Sequence, residues 1–459
     1  MSKRFDYEYM VIGGGTTGMA AAIQLANAGR KVALVEQNKW GGYNQIYDIP
    51  QGILLNFAHS YAEAVAGCRM GMSSANLRYN YPTVLRYKEK ILRKAAITRK
   101  SLEEQGIVCI RGKAHFVGNY DVAIEGQGQI SASKFLIATG ATLNVADISG
   151  LETVEHLTPS TALEVEKPPK AVLVVGGGAT GCEIAQYYAE LGAKVVIVEM
   201  ADRLLPKMDE EVGQVMEQYF AKRLGIKVFT QTKVIALEKD KVSKRVVFLR
   251  GGQEKTVRVE TIVLATGSIA NTDIGLKNAG VSFDRNGIIV DKTLQTSARN
   301  IWAAGDVLGT TSSTERASYT GDVAVINMLG RGKTFVNYNG FMEVVNTYPQ
   351  IASVGMTENE LRKKTRRYFK TLVPLSAAPV AIVRDYKIGF LKIIADSQGN
   401  VLGASMIGPN AADVLQELSL AIRHSLPLVQ VASSPHASSE WNNLVKVAAK
   451  KLLMAKKQK

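Results

Sequence analysis

The residue types that could do chemistry gather in three places. Gly13, Gly15 and Gly18 form a G-x-G-x-x-G run, and an acid, Glu36, follows 18 residues after the last of them. Gly176, Gly178 and Gly181 repeat the run, and Glu199 again follows at 18. In such a run the first glycine permits a tight turn, the second lets backbone approach a pyrophosphate, and the third allows close helix–strand packing. The pyrophosphate rests on the helix N-terminus and the acid reaches a ribose hydroxyl. The third place is Gly305-Asp306, directly after the apolar IWAA. An acid at a strand's C-terminal end can hold the ribityl chain or pyrophosphate of a flavin, although a Gly-Asp pair on its own is an ordinary turn.

A lone glycine run is weak evidence, so the elements around it decide. YMVI reads as a short buried strand before Gly13, MAAAIQLANAG as a helix ending at Gly29, and KVALVE as a second strand ending in Glu36. AVLVV, the helix after Gly178 and KVVIVE repeat this βαβ unit. Two complete units imply two dinucleotides, or one in use and one relic. Glu199 would repel a 2′-phosphate and position 181 is Gly, so the second unit favours NADH over NADPH. Two further strands, FLIATG and TIVLATG, end alike at Gly140 and Gly267.

Composition sets the frame. The 459 residues are 46% hydrophobic and 21% charged, with 41 glycines, as expected of a globular α/β chain of several domains. The net charge of +15 favours anionic partners without naming one. No nucleic-acid motif accompanies it. The three cysteines, Cys68, Cys109 and Cys182, share no redox or metal-ligand spacing. Cys182 reads as small buried filler. No signal peptide and no apolar run of ~18 residues is evident, so a cytoplasmic protein is expected. The tail NNLVKVAAKKLLMAKKQK carries six lysines and no acid. It reads either as a solvated helix face with a frayed end or as a peripheral contact with anionic membrane.

With these motifs in place, the chain resembles the class I pyridine nucleotide-disulfide oxidoreductases, among them dihydrolipoamide dehydrogenase, mercuric reductase and soluble transhydrogenase. VEMADRLLPKMDEEV, TYPQIASVGMTENEL and NVLGASMIGPNAADVLQELSLAIRH extend the likeness over nearly the whole chain. The resemblance implies an α/β fold with two Rossmann-like domains and a C-terminal α+β dimerisation domain. Residues 1–148 and 273–338 would bind FAD, 149–272 would bind NAD, and 339–459 would form a homodimer interface. By position, Glu36, Gly42, Ala114, Gly140, Asp306 and Thr314 would join the first glycine run on FAD. Glu199, Val234 and Gly267 would join the second on NAD.

The chain departs from that family where its chemistry lies. The family's disulfide segment runs G-G-T-C-x-N-x-G-C-x-P-S-K, and here the segment reads GGYNQIYDIPQG. Gly41, Gly42 and Pro50 keep the frame. Asn44 and Asp48 fall at the two cysteines after a one-residue deletion, and Gly52 falls at the lysine. Glu183, which in the family partners that lysine, remains, either as a proton donor beside the flavin or bound to another basic partner. The family's H-x-H-P-T-x-S-E motif becomes SSPHASSEW, leaving His436 one residue late relative to Glu440. A His–Glu pair suits acid–base work, but its family role is to activate a thiol. The expectation is therefore hydride transfer from NADH to FAD and onward to a small non-thiol acceptor: a quinone, oxygen, a metal complex or a second nicotinamide. Asn44 and Asp48 would line its pocket. A non-catalytic FAD/NAD sensor or scaffold, and a thiol reductase using an unrecognised cysteine, remain as alternatives.

Overall fold

The computed structural model describes residues 4–67, 77–145, 147–240, 243–309, 313–330, 332–365 and 367–457. They form two compact units. The first comprises Met1–Gln51, Leu85–Asn144 and Gly267–Tyr338. At its centre the strands Val108–Arg111, Val32–Glu36, Tyr7–Ile12, Gly128–Ile137 and Ile301–Ala303 lie side by side, all parallel. Met10–Ile12, Val32–Val35 and Phe135–Ile137, the buried parts of the three central strands, are continuous apolar runs, the pattern of a sheet covered on both faces. The order reverses direction between Tyr7–Ile12 and Gly128–Ile137. Ligands bind in the crevice beyond the strand ends at such a switch point. Gly13, Glu36, Gly140 and Asp306 all follow or end these strands. The N-terminal part of Gly128–Ile137 also carries an antiparallel meander, Asp121–Ile124 and Ala114–Phe116.

The second unit comprises Gly52–Val84, Val145–Thr266 and Asn339–Lys459. It holds a parallel sheet in the order Lys227–Phe229, Lys194–Val198, Ala171–Val175, Thr261–Leu264. A three-stranded antiparallel sheet, Thr232–Lys239, Lys244–Arg250 and Gln253–Val259, adjoins it in sequence. A five-stranded antiparallel sheet runs Met342–Val345, Gln350–Gly355, Val401–Gly408, Phe390–Ala395, Phe369–Pro374. Helices Ala411–His424, Leu428–Ser433 and Asn443–Lys457 share its core.

Two groupings within the second unit stand out. Residues 52–84 lie in it. The Tyr81 and Tyr187 hydroxyls meet at 2.7 Å, Tyr79 donates to the Leu191 carbonyl, and the His59 ring lies 3.4 Å from that of Tyr348. Residues 145–266 and 339–459 also share this unit. There the fully buried Lys392 ammonium reaches Asp209, Glu211 and Glu358 at 3.2, 2.8 and 2.8 Å. Burial alone would pull the Lys392 pKa down, but the three carboxylates outweigh it and hold the group charged. Burial would likewise raise the Glu358 carboxyl, yet Lys370, Lys392, Tyr368 and Arg362 bring it well below the usual carboxylate range.

The basic tail folds as the helix Asn443–Lys457. Leu444, Val445, Ala448, Ala449 and Leu452 are buried in the C-terminal core. Its apolar face is therefore used inside the protein. No described helix is long and apolar enough to cross a membrane.

Candidate functional site

Each glycine run ends a strand and opens a helix, and the backbone shows why each glycine is needed. Gly13 and Gly176 have φ of +110° and +111°, in the region that favours glycine. A Cβ on Gly18 would stand 1.8 Å from the Gly13 carbonyl oxygen, and one on Gly181 would stand 2.0 Å from that of Gly176. The middle glycines are different. Gly15 and Gly178 have ordinary extended backbone, with φ of −74° at both. A Cβ on Gly178 would meet no protein atom within 4 Å, and one on Gly15 would only touch Gly42 Cα at 4.0 Å. Nothing within the chain requires glycine there, so the close approach of a ligand is the reason that remains. Neither of the two helices has a side-chain cap, which leaves its first N–H groups to an anion.

The two acids are held alike. Glu36 accepts from the Gly14 N–H at 2.6 Å and the Asn38 N–H at 2.5 Å. Glu199 accepts from the Gly177 N–H at 2.5 Å and the Ala201 N–H at 2.6 Å. Both carboxylates are thereby fixed at the ends of their strands, beside their glycine turns. The Gly112 N–H donates to the Glu36 carbonyl, which brings the turn before buried Ala114 against this acid. Val234 is buried in the antiparallel sheet of the second unit. Gly140 and Gly267 both have positive φ, and the short strands after them, Ala141–Leu143 and Ser268–Ala270, pair with each other. Asp306 is the second residue of the short turn Gly305–Leu308, and the Gly305 N–H donates to buried Thr320.

The segment after Glu36 comes back to the first turn. The Gly41 N–H donates to the Gly14 carbonyl at 2.8 Å. A Cβ on Gly42 would stand 2.7 Å from Gly15 Cα, and Gly42 has φ of +54°. Asn44–Asp48 then forms one widened helical turn that runs directly into the helix Ile49–Ala66. The structure brings two expected site residues together here. The Thr314 hydroxyl, at the start of Thr314–Met328, donates to Asp48 Oδ2 at 2.8 Å. Burial pushes the Asp48 carboxyl above its ordinary range; the Thr314 bond opposes this and Glu315 adds to it. Asn44 is half-buried at the start of the same turn.

Glu183 and His436 have other partners. Buried Glu183 accepts from the Asn346 N–H at 2.7 Å. On the same helix face Gln186 bonds both the N–H and the carbonyl of Tyr348, and donates to Glu190. This stripe grips the start of the C-terminal sheet. His436 Nε2 meets the Glu417 carboxylate at 2.9 and 3.0 Å, and its Nδ1 lies 2.8 Å from the Ser434 carbonyl. Within one chain its acidic partner is thus Glu417 on Ala411–His424, while Glu440 is exposed. Cys109 and Cys182 are buried free thiols, Cys182 with its pKa pushed far up by burial, and Cys68 lies outside the described residues. Among the described residues no cluster of His, Cys, Asp and Glu is placed to hold a metal ion.

Sequence reasoning passed over Tyr43, Tyr47 and Gln51. The Tyr43 and Tyr47 rings stack at 4.9 Å, and Gln51 donates to the Tyr47 hydroxyl at 2.8 Å. Their spacing of four, inside a stretch already singled out, was the signal.

Two glycine turns, each with an acid held at the end of its second strand, are the geometry of dinucleotide-binding units. The pyridine nucleotide-disulphide oxidoreductase description matches residues 7–321 and its dimerisation domain matches residues 342–446. The chain belongs to this family, whose members are FAD-dependent oxidoreductases that use NAD(P)H. It is 30% identical to a mercuric reductase of Bacillus cereus over 428 residues, 92% of this chain and 68% of that one. It is 29% identical to a dihydrolipoyl dehydrogenase of Bacillus subtilis, covering 97% of this chain and 96% of that one. A solved structure similar to it is the HOCl-induced flavoprotein disulfide reductase RclA from Escherichia coli. The TM-score is 0.83 at 26% identity, covering 96% of this chain and 100% of that one.

Proposed function

We propose that the chain is a homodimeric FAD-dependent NADH oxidoreductase that delivers electrons to a small non-thiol acceptor. One observation carries the reading. The glycine frame that closes on Gly15 leads into a turn whose polar group is Asp48, held by Thr314, and residues 41–52 contain no cysteine. When bound, FAD supplies the hydride acceptor for NADH. The chain's residues do the rest. Gly13, Gly15 and Gly18 with the helix Thr16–Asn27 hold the flavin's pyrophosphate, and Glu36, Ala114, Gly140, Asp306 and Thr314 orient the remainder. Gly176, Gly178, Gly181, Glu199, Val234 and Gly267 do the same for NADH, with Glu199 set against a 2′-phosphate. Asp48 holds a proton for the acceptor, with Asn44 beside it. The exposed lysines of the tail contribute attraction to anionic surfaces through charge alone.

The test is an anaerobic NADH titration of the purified holoprotein. Stoichiometric bleaching of the flavin, followed by reoxidation with a quinone or a nicotinamide analogue, is the expected result. Absence of bleaching would establish the nucleotide sensor instead. A long-wavelength thiolate-to-flavin band, with activity lost on alkylation, would overturn the non-thiol route.

A further inference from the structure

We propose that Ile382 and Val383 are the apolar anchor through which two copies of this chain dock. The inference rests on the homodimer reading above and deepens it by naming the surface. Among the described residues these are the two most exposed large apolar side chains, at 80% and 85%. They end the short helix Pro379–Val383. The other side of that helix is fixed. Ala378, Val380 and Ala381 are buried in the C-terminal core, and the Tyr386 N–H returns to the Ala381 carbonyl at 2.8 Å. The Tyr386 ring packs edge-on against Trp441, which is buried in the same core. Folding therefore holds the segment from one side and leaves its last two side chains in water. Arg384, Asp385 and Lys387 follow and are exposed, with the Lys387 ammonium 3.1 Å from Asp385. An apolar pair bordered by charges is the make-up of an interface centre and its rim.

A single exposed apolar side chain is ordinary, so the place of this pair matters. It lies within residues 342–446, which match the family's dimerisation domain, and this makes a second copy its occupant. Two side chains are too little for a stable contact, which needs on the order of 800 Å² from each partner. They are the anchor of a wider face of that domain, since a few central side chains carry most of an interface's binding energy. A two-fold contact uses each of them twice.

The experiment measures dimer dissociation by sedimentation of the FAD-loaded holoprotein over a dilution series. Ile382→Glu/Val383→Glu should raise the dimer Kd at least about 1,000-fold, because each anchor is lost twice. Ile382→Val/Val383→Ile, which keeps the apolar surface, should leave it close to that of the wild type. Ile289→Glu, at a 52% exposed position outside the dimerisation match, should leave it unchanged. Both anchors already face water within one chain, so near-UV circular dichroism of the separated copies should match the wild type. Val383→Cys gives a second reading: its thiol should resist maleimide in the dimer and label freely once dilution has parted the copies. A wild type that sediments as a monomer at every concentration would remove the homodimer reading and this inference together. A wild-type dimer with an equally tight Ile382→Glu/Val383→Glu dimer, or a Val383→Cys thiol that labels freely in the dimer, would overturn the anchor alone. So would a retained dimer whose acceptor KM alone rises, which would turn the pair toward a small molecule.

Discussion

Gly178→Ala separates what the fold needs from what the cofactor needs. The backbone at Gly178, φ −74° and ψ −171°, is one that alanine adopts freely. The added methyl meets no protein atom within 4 Å. Without NADH the variant should be as stable as the wild type, or more stable by ~0.4–1 kcal/mol through the lost freedom of its unfolded chain. With NADH the methyl stands where the pyrophosphate must approach the helix N-terminus. An extra methyl forced into a close contact costs about 1–3 kcal/mol. That corresponds to a Kd raised roughly 5- to 150-fold. Thermal melts of the FAD-loaded protein and an anaerobic NADH titration measure the two halves separately. Gly181→Ala is the contrast, because its methyl would lie 2.0 Å from the Gly176 carbonyl oxygen and should destabilise the fold itself. A Gly178→Ala titration within twofold of the wild type would refute the placement of NADH on this turn.

Lys392→Met should cost about 3–5 kcal/mol in urea unfolding at neutral pH, because buried Asp209 would lose its cation, while Glu211 keeps Lys370 and Glu358 keeps Lys370 and Arg362. In the wild type the depressed Glu358 pKa gives stability that is present above the unfolded value near ~4.3 and is lost as pH falls through the folded value. The raised Lys392 pKa gives stability present below ~10.4 and lost as pH rises through its folded value. Urea midpoints at pH 3, 7 and 11 should therefore differ less between variant and wild type at the extremes than at pH 7. Burial raises Glu190 to about 7, so it costs stability as pH climbs from the unfolded value through 7. Glu190→Gln should accordingly be more stable than the wild type at pH 8, by about 2–3 kcal/mol, and should show no gain at pH 4, as thermal melts would record. Asp48→Asn should slow quinone reduction and flatten the pH dependence of kcat while NADH still bleaches the flavin; an unchanged pH profile would remove Asp48 from the proton path.

The cofactor frame was legible because its residues are fixed by local geometry. A run such as Gly13, Gly15, Gly18 has one backbone solution, and the acid that ends the second strand falls at a constant distance from it. The partners of Glu183 and His436 were not legible in that way. Glu183 finds Asn346, 163 residues away, and His436 finds Glu417 on a different helix. Both choices depend on how separate elements pack, which no spacing encodes. The same holds for Lys392, an unremarkable lysine in LKIIAD until three carboxylates from two segments surround it. The family layout groups residues 52–84 with the FAD-binding stretch. Tyr79 and Tyr81 instead bond residues on and beside the helix Ala179–Glu190, contacts visible only once folded.

The two repeats show where the two nucleotide-type turns part company. Their likeness extends past the acids. The Gly41 N–H donates to the Gly14 carbonyl at 2.8 Å, and the Leu205 N–H donates to the Gly177 carbonyl at 2.8 Å. In both the chain returns to the middle of its glycine turn with positive φ, at Gly41 and at Leu205. Beyond that return the two halves diverge. After Leu205 comes a proline and then the helix Glu210–Tyr219, with its Asp209 and Glu211 spent on Lys392. After Gly41 comes a second glycine, whose missing side chain lets the backbone close on Gly15. That one residue sets the next turn, with Tyr43, Asn44, Tyr47 and Asp48, against the first nucleotide turn and not away from it. A side chain at position 42 would push the turn outward and break the Asp48–Thr314 contact without touching either residue. Gly42→Ala should therefore lose acceptor reduction as Asp48→Asn does, and should also weaken FAD binding, which Asp48→Asn should not.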